Sequence, residues 1–567
     1  MNWKLKEKTE VENSGSSLHP TVLEILFKRG IDTPEKIESF LHPDYDRDIY
    51  DPFLFKEMKK AIERIQKAKE ENEYVAIFGD YDADGVTSAS ILKEALENLG
   101  IKTKVYIPDK KLEGYGMNKK AVEKLANEKV SLIITVDCGI SNFAEVEIAN
   151  ENGIDVIIAD HHHVPVKIPK AFAIINPWME DSGYPFAQLA GVGVAFKVVQ
   201  AIYKTLLPKE FEKTKWMLDL VAIGTVADCV PLIDENRTIV KYGLLVLSKT
   251  KRIGLQEIFK VARIQVDENN FPDTHKISFQ IAPRINAAGR MEHANSAFQL
   301  INEKDIISAR TLALELEDNN QKRQKTTQKV VEEVKVLAQN SFKDKKFIFA
   351  VGEHFPIGIV GLAAGKIAES FNKPTAILFK GEEISQGSFR SIPHVNIIEC
   401  IEKCAKHLVK FGGHSQAAGI SIKNENLDIF YEELNSLVEK ELDGKDITPE
   451  IEIDAEINAQ DLDFQLAEQI QKLEPFGMNN RQPIFLMKNM VIQEIKIVGN
   501  GEKHLKFFLR SKDGSPKIFE AIGFNFNADF NHLKINDEIN IIFNIEIDSW
   551  NGNKKIQLKL IDLKSSE

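Results

Sequence analysis

Residues 75–90 read "VAIFGDYDADGVTSAS", and three carboxylates, Asp80, Asp82 and Asp84, stand there separated only by a tyrosine and an alanine. Four apolar residues, Val75 to Phe78, and then Gly79 precede them, so a short buried strand is expected to stop where the acids begin. Gly85 is expected to open a helix capped by Thr87 or Ser88, with Ile91, Leu92, Ala95, Leu96 and Leu99 at helical spacing. The acids then fall in a strand-to-helix loop, where open α/β sheets bind their ligands. Three like charges this close repel unless they are protonated or neutralised, and a divalent metal is the usual neutraliser. A solvated aspartate-rich turn gives the same spacing. An EF-hand does not fit, because Ile91 occupies the position of its bidentate glutamate.

The other strand ends repeat the pattern. "LIITVDCG" stops at Asp137, "DVIIADHHH" stops at Asp160 followed by His161, His162 and His163, and "LVAIGTVADCVPL" delivers Asp228. In a parallel sheet these ends share one edge, so the side chains converge. One aspartate after a strand is usually a helix cap, but four acids with adjacent histidines are hard to attribute to caps. Mixed Asp and His ligands suit Mn2+ better than Ca2+. Five or six such ligands exceed the need of one ion, and two ions about 3.5–4 Å apart can clamp both oxygens of a phosphoryl displacement.

A chain of 567 residues is long enough for three or four domains. The opening "MNWKLKEKTEVENSGSS" lacks the apolar core of a signal peptide and no run approaches a membrane span, so a cytoplasmic location is expected. Four cysteines make no disulfide framework. Cys400, Cys404 and His407 form either a metal trio or, as we expect, a buried helical face. A formal charge of −12 argues against a nucleic-acid coat protein but is compatible with a nuclease, whose acidic centre and basic groove coexist. Residues 18–66 read as helices broken at Pro43 and Pro52. Strands and helices alternate from 74 to about 232, a long polar helix covers roughly 304–339, and a second α/β unit runs to about 441. Beyond "DGKDITPE" the pattern is strands alone, the signature of a small barrel.

The segments "DYDADG", "VDCG", "DHH" and "ADCVPL", in this order and spacing, resemble the motifs of the DHH phosphoesterases. "EGYGMN", "LAGVGVAFK", "APRINAAGRM", "GSFRS", "FGGHSQAAG" and "LEPFGMNNRQPIF" extend the likeness over nearly the whole chain, to that family's single-stranded-DNA exonuclease branch. The implied fold class is α/β. An N-terminal helical segment (1–70) is followed by a parallel-sheet DHH catalytic domain (71–235) and a helical connector with a long linking helix (236–340). A DHH-associated α/β domain (341–445) and an oligonucleotide-binding (OB) barrel (450–567) complete it.

The resemblance implies two divalent ions, Mn2+ or Mg2+, held by Asp82, Asp84, Asp137, His161 and Asp228, with Asp137 as the bridge. Asp80 is either a further ligand or a group orienting a water or a neighbour. Asp160 is expected to hold the His161 ring, and His162 to meet the scissile phosphate. Ser388 and Arg390 resemble the pocket for a 5′-terminal phosphate, a task suited to a forked guanidinium. Gly412, Gly413 and His414 resemble phosphate donors, although Gly-Gly-His is also an ordinary turn. Arg284, Asn286 and Arg290 resemble strand-backbone contacts, although two arginines so spaced also make surface ion pairs. In the barrel, Lys503, His504, Lys506 and Arg510 interleave with Phe507 and Phe508. Alternation sends one phenylalanine inward, and Phe508 is the expected base-stacking platform.

The chain departs from the family's pattern in two places. Lys110 in "PDKKLEGYG" replaces an arginine and loses its fork. "PFGMNNR" lacks the usual glycine and proline, although Asn479 tolerates a left-handed turn. The implied activity is degradation of single-stranded DNA from the 5′ end to 5′-mononucleotides in repair and recombination. A helicase and a single-strand-binding protein are the implied partners, and a monomer the implied state. The rivals are a DHH phosphatase of small substrates, usually without the helical start and the barrel, and a binding scaffold that has lost catalysis.

Overall fold

The computed structural model describes residues 2–8, 17–109, 113–114, 116–267, 271–291, 294–499, 501–548 and 554–566, which leaves Lys110 outside the described residues. The chain groups into two compact units: Pro52–Asp228 with Leu245–Pro449, and Met1–Asp51 with Cys229–Leu244 and Glu450–Glu567.

In the first unit the alternating apolar runs become a five-stranded parallel sheet, ordered Lys102–Tyr106, Tyr74–Gly79, Leu132–Val136, Asp155–Ala159, Ala173–Ile175. Val75, Ile77, Ile133, Ile134, Val156 and Ile157 are all buried, as befits strands covered on both faces. Numbered along the chain the order is 2-1-3-4-5, so the winding reverses between Tyr74–Gly79 and Leu132–Val136. At such a reversal the crossovers leave on opposite faces and open a crevice at the carboxyl ends of the strands. Asp80 and Asp137 directly follow those two strands.

The helix after the first strand, Ala83–Asn98, begins earlier than its sequence suggests. Asp82 is the N-cap rather than Thr87 or Ser88, its carboxylate accepting from the N–H groups of Asp84 (2.9 Å) and Gly85 (3.1 Å). Asp84 therefore sits inside the first helical turn, and the Thr87 hydroxyl donates back to the Ala83 carbonyl. Every residue from Ala83 to Leu92 is buried, because helices Gly191–Leu206 and Leu218–Ala227 pack on the sides the sheet leaves open. The second of these corrects another expectation: "LVAIGTVA" is a helix, and Asp228 is its C-cap, not a strand end. A short apolar run does not reveal its period.

Further along this unit, a mixed sheet is ordered Leu408–His414, Ala417–Lys423, Ile384–Arg390, Thr375–Lys380, Ile348–Gly352, with a parallel pair at its last position. The long helix Ile306–Asn340 packs Val330, Val331 and Val334 against helix Val360–Phe371 and this sheet, and its earlier turns against Ala282–Met291. Cys400 and Cys404 lie in the sheet's apolar core while His407 turns to Glu433 at 2.9 Å, a buried helical face and not a metal trio.

In the second unit, Phe485–Val498 pairs with both His504–Ser511 and Glu538–Asp548, which closes a five-stranded barrel, with the short strand Ala455–Glu456 added alongside Phe485–Leu486. The strands-only expectation omitted helix Phe464–Gln471, capped by Asp463. Its Leu466, Ala467 and Ile470 share one core with the barrel and with Val22, Ile25 and Leu26 of helix Pro20–Lys28. An unforeseen strand, Asn2–Leu5, pairs in parallel with Glu450–Ile453. Asn479 takes the left-handed backbone (φ 56°) that keeps the turn.

Arg237 ties this unit together. Its guanidinium is buried over the Phe40 ring and donates to the backbone carbonyls of Phe40 (2.8 Å), Leu473 (2.9 Å), Pro475 (3.5 Å), Lys472 (3.2 Å) and Glu474 (2.7 Å). Removing it leaves buried acceptors unsatisfied. Arg237→Ala is expected to destabilise this unit by about 3 kcal/mol or more in urea unfolding, and Arg237→Lys to recover little because the fork is lost.

Candidate metal centre and phosphate pocket

Four chain segments bring carboxylates and one imidazole to the crevice. His161 Nε2 lies 3.1 Å from Asp137 Oδ1, 3.6 Å from Asp228 Oδ2 and 3.9 Å from Asp84 Oδ2. Ligand atoms of Asp84, His161 and Asp228 fall within 4.8 Å of one another, as do those of Asp80, Asp82 and Asp137, and those of Asp137, His161 and His162. All six expected ligands thus meet in two adjoining sets, with Asp137 and His161 nearest the middle.

Backbone geometry aims them. Asp137 takes a left-handed φ of 59°, which turns the chain sharply off its strand end. Gly191 opens the helix facing it, and a Cβ there would stand 2.5 Å from Asp137 Oδ1, so only glycine allows the approach. The N–H groups of Gly191 and Val192, at 2.7 and 2.8 Å, donate to the two oxygens of Asp84. This is the helix N-terminus acting on an anion. The segment "LAGVGVAFK" carried no role in the sequence reading, although a run of small residues opening a helix is the signal for such an approach.

Crowding acids in a dry pocket is unfavourable without a counter-charge. Burial, then the charges of Asp82 and its neighbours, push Asp84 up to about 7 and Asp228 up to about 9; burial and Asp84 hold Asp137 well above the usual carboxylate range. Burial together with His162 lowers His161 to about 4, so its ring is neutral. That ring donates to the Leu189 backbone carbonyl, which leaves Nε2 with a lone pair. Among the described residues this buried nitrogen has no hydrogen-bond partner, and it faces three carboxylates. A lone pair directed at anions is repulsive unless a cation lies between them. The donor set of carboxylates and one imidazole fits Mn2+ or Mg2+.

Asp160 corrects an expectation: it holds the His162 ring, not that of His161. Its Oδ1 lies 2.8 Å from His162 Nδ1 and accepts the backbone N–H groups of His161 and His162, while Oδ2 accepts from Ile140. Burial opposes charge on His162, but Asp160 overcomes it and raises the ring to about 9. Asn286 is also differently engaged, its side-chain oxygen accepting the Ala83 N–H at 2.7 Å and so bracing the acidic loop.

A second crowd, of opposite sign, lies in the same unit. Burial, and then the charge of Arg290, lowers both Arg323 and Arg390, and Arg290 is itself lowered by burial. Arg390 Nη1 donates to Ser388 Oγ at 2.9 Å. Arg323, on the long helix, was missed in the sequence, where "NNQKRQK" reads as solvated polar surface; its buried Nε has no hydrogen-bond partner among the described residues. Arg284 instead pairs with Glu317 at 2.6 Å, in an ion pair that is largely covered and not on the surface. Strand register sets Ser388 beside Gly419 beside Gly412, and Arg390 beside Ala417 beside His414. One face of the sheet therefore carries Ser388 and Arg390 next to positions bare of bulky side chains. Gly412, Gly413 and His414 themselves are exposed on the edge strand.

On the barrel, Phe507 is buried in the core and Phe508 faces outward between Lys496 and Lys506, whose ammonium groups lie 5.1 and 5.5 Å from its ring. Lys506 pairs with Glu520, His504 accepts from the Asn525 N–H, and Lys503 and Arg510 are exposed.

Known proteins match this arrangement along the chain. Residues 74–225 match the DHH family N-terminal domain, 344–440 the DHHA1 domain and 453–562 the RecJ OB domain. The single-stranded-DNA-specific exonuclease RecJ of Bacillus subtilis (strain 168) is 38% identical over 573 residues, spanning 100% of this chain and 71% of that protein. Its counterpart in Haemophilus influenzae is 30% identical over 581 residues, spanning 99% and 98%. The crystal structure of RecJ in complex with Mn2+ from Thermus thermophilus superposes with a TM-score of 0.84 at 25% identity, covering 100% of this chain and 80% of that one. With its three domains in this order and this alignment from one end to the other, the chain belongs to the RecJ family of the DHH phosphoesterases.

Proposed function

We propose that this protein is a 5′-to-3′ exonuclease that hydrolyses single-stranded DNA to 5′-mononucleotides in repair and recombination. The observation that carries the reading is the neutral His161 lone pair facing Asp84, Asp137 and Asp228. Two divalent cations would be held by Asp80, Asp82, Asp84, Asp137, His161 and Asp228, with Asp137 shared between them. When bound, they supply Lewis acidity and neutralise the phosphate.

The chain's own residues do the rest. His162, held by Asp160 and protonated through neutral pH, donates its Nε2–H to the scissile phosphate, where charge grows in the transition state. The Gly191 and Val192 N–H groups fix the Asp84 rotamer. Arg390, Ser388, Arg290 and Arg323 grip the 5′-terminal phosphate, which sets polarity by selecting that end of the strand. Phe508 stacks on bases of the strand while its lysines attract the phosphates. A helicase and a single-strand-binding protein would supply and protect that strand. The barrel and the helical start favour a polymeric strand over the dinucleotides of shorter DHH phosphatases.

A single strand labelled at either end, with and without a 5′ phosphate, tests polarity: the 5′ label is expected to be released first, and a dinucleotide to be cleaved more slowly. Loss of the 3′ label first contradicts the proposal. Arg390→Ala is expected to reduce the preference for phosphorylated ends roughly ten- to hundredfold, since charge-assisted hydrogen bonds contribute about 1.5–3 kcal/mol. Metal binding also has a pH signature. The metal-free chain holds protons on Asp84 (up to about 7) and Asp228 (up to about 9), which cations displace. Mn2+ affinity should therefore climb as pH rises from about 6 to about 8, by up to roughly tenfold per unit per proton. Calorimetry in buffers of different ionisation heat counts those protons, and a pH-independent affinity contradicts the ligand assignment.

A further inference from the structure

The chain carries a third consecutive histidine, His163, that neither the cation centre nor the phosphate grip uses. Its exposed ring lies against the indole of Trp178, with centroids 4.5 Å apart and planes at 46°. Trp178 keeps 38% of its surface open to solvent, although an indole gains much by being covered.

The centre itself holds this pair in place. Asn176 is fully buried; its side-chain N–H donates to the His162 carbonyl at 2.9 Å, and its side-chain oxygen accepts the Trp178 N–H at 2.8 Å. The two rings thus start one residue from His162 on one side and one hydrogen-bonded bridge from it on the other. A part-open indole on a backbone fixed by a buried amide, with an imidazole laid against it, is a pre-organised surface for a flat ligand. In a nucleic-acid strand the flat group next to a phosphate is the base.

We propose that His163 and Trp178 form a base-stacking shelf that receives the base adjoining the phosphate facing His162. This rests on the single-strand reading above and adds to it a contact with a base in place of backbone contacts. Every base offers a π-face, so the shelf positions the strand without choosing a sequence.

The test compares the wild type with Trp178→Ala, Trp178→Phe and His163→Ala on a 5′-phosphorylated single strand. The same strand is also used with one abasic site moved through the first few nucleotides. Trp178→Ala is expected to raise KM roughly ten- to hundredfold on the intact strand, with kcat within about twofold. Trp178→Phe should recover most of the loss. At one abasic position the wild type and Trp178→Ala should give the same KM. Unchanged kinetics in Trp178→Ala, or an equal loss at every abasic position, overturns the shelf.

A second readout needs no turnover. With Ca2+ in place of Mn2+, a 2-aminopurine at that position should be quenched by the wild type and not by Trp178→Ala; equal quenching overturns the shelf. A wild type that binds and quenches this strand but never shortens it in Mn2+ contradicts the exonuclease proposal and leaves the shelf standing.

Discussion

Like charges held close in a dry crevice govern this molecule. Asp80, Asp84 and Asp137 are almost wholly buried, and their mutual repulsion is strongest there because little water screens it. The surrounding structure answers that repulsion. A left-handed residue turns Asp137 inward, a glycine clears the approach of a helix, and two N–H groups of that helix accept part of the charge of Asp84. These devices lower the electrostatic cost without removing it, and the remainder is what gives a divalent cation its affinity.

The same arrangement is repeated with the sign reversed. Arg237, a structural cation, is satisfied by backbone carbonyls and needs nothing more. Arg323 and Arg390 are lowered by burial and then by the charge of Arg290, which burial lowers in turn. The contrast lies in the partners: Arg237 is enclosed by carbonyls, whereas Arg323 keeps a buried Nε without a hydrogen-bond partner among the described residues. It also explains why an acidic chain can grip a polyanion: net charge says little about a local field.

Much of this was legible in the sequence, for specific reasons. The three central parallel strands were visible because each buries both faces and so reads as a continuous apolar run, ended by Asp80, Asp137 or Asp160. The same signal misled at "LVAIGTVA", because a helix buried on all sides lacks amphipathic contrast. Asp160 was paired with the wrong ring because a turn, not proximity in sequence, decides the matter: its oxygen collects the N–H groups of both following residues and brings the second imidazole over it. The Asn2–Leu5 strand was invisible because its partner lies at Glu450–Ile453, beyond any local pattern. Arg323 looked like one more solvated cation on a polar helix, and burial alone sets it apart.

The clustered acids are dispersed from Asp80 to Asp228, and the last of them caps a helix that packs against the Ala83–Asn98 helix. A nascent chain emerging from the ribosome with its first four strands formed has the acidic loop, the turn at Asp137 and both imidazoles, yet not the closing carboxylate. Long-range closure of this kind comes late in folding, after local contacts have formed. Assembly of the acidic crevice therefore waits for the Leu218–Ala227 helix, and a chain cut short before Asp228 lacks one of the carboxylates that the whole fold sets beside His161.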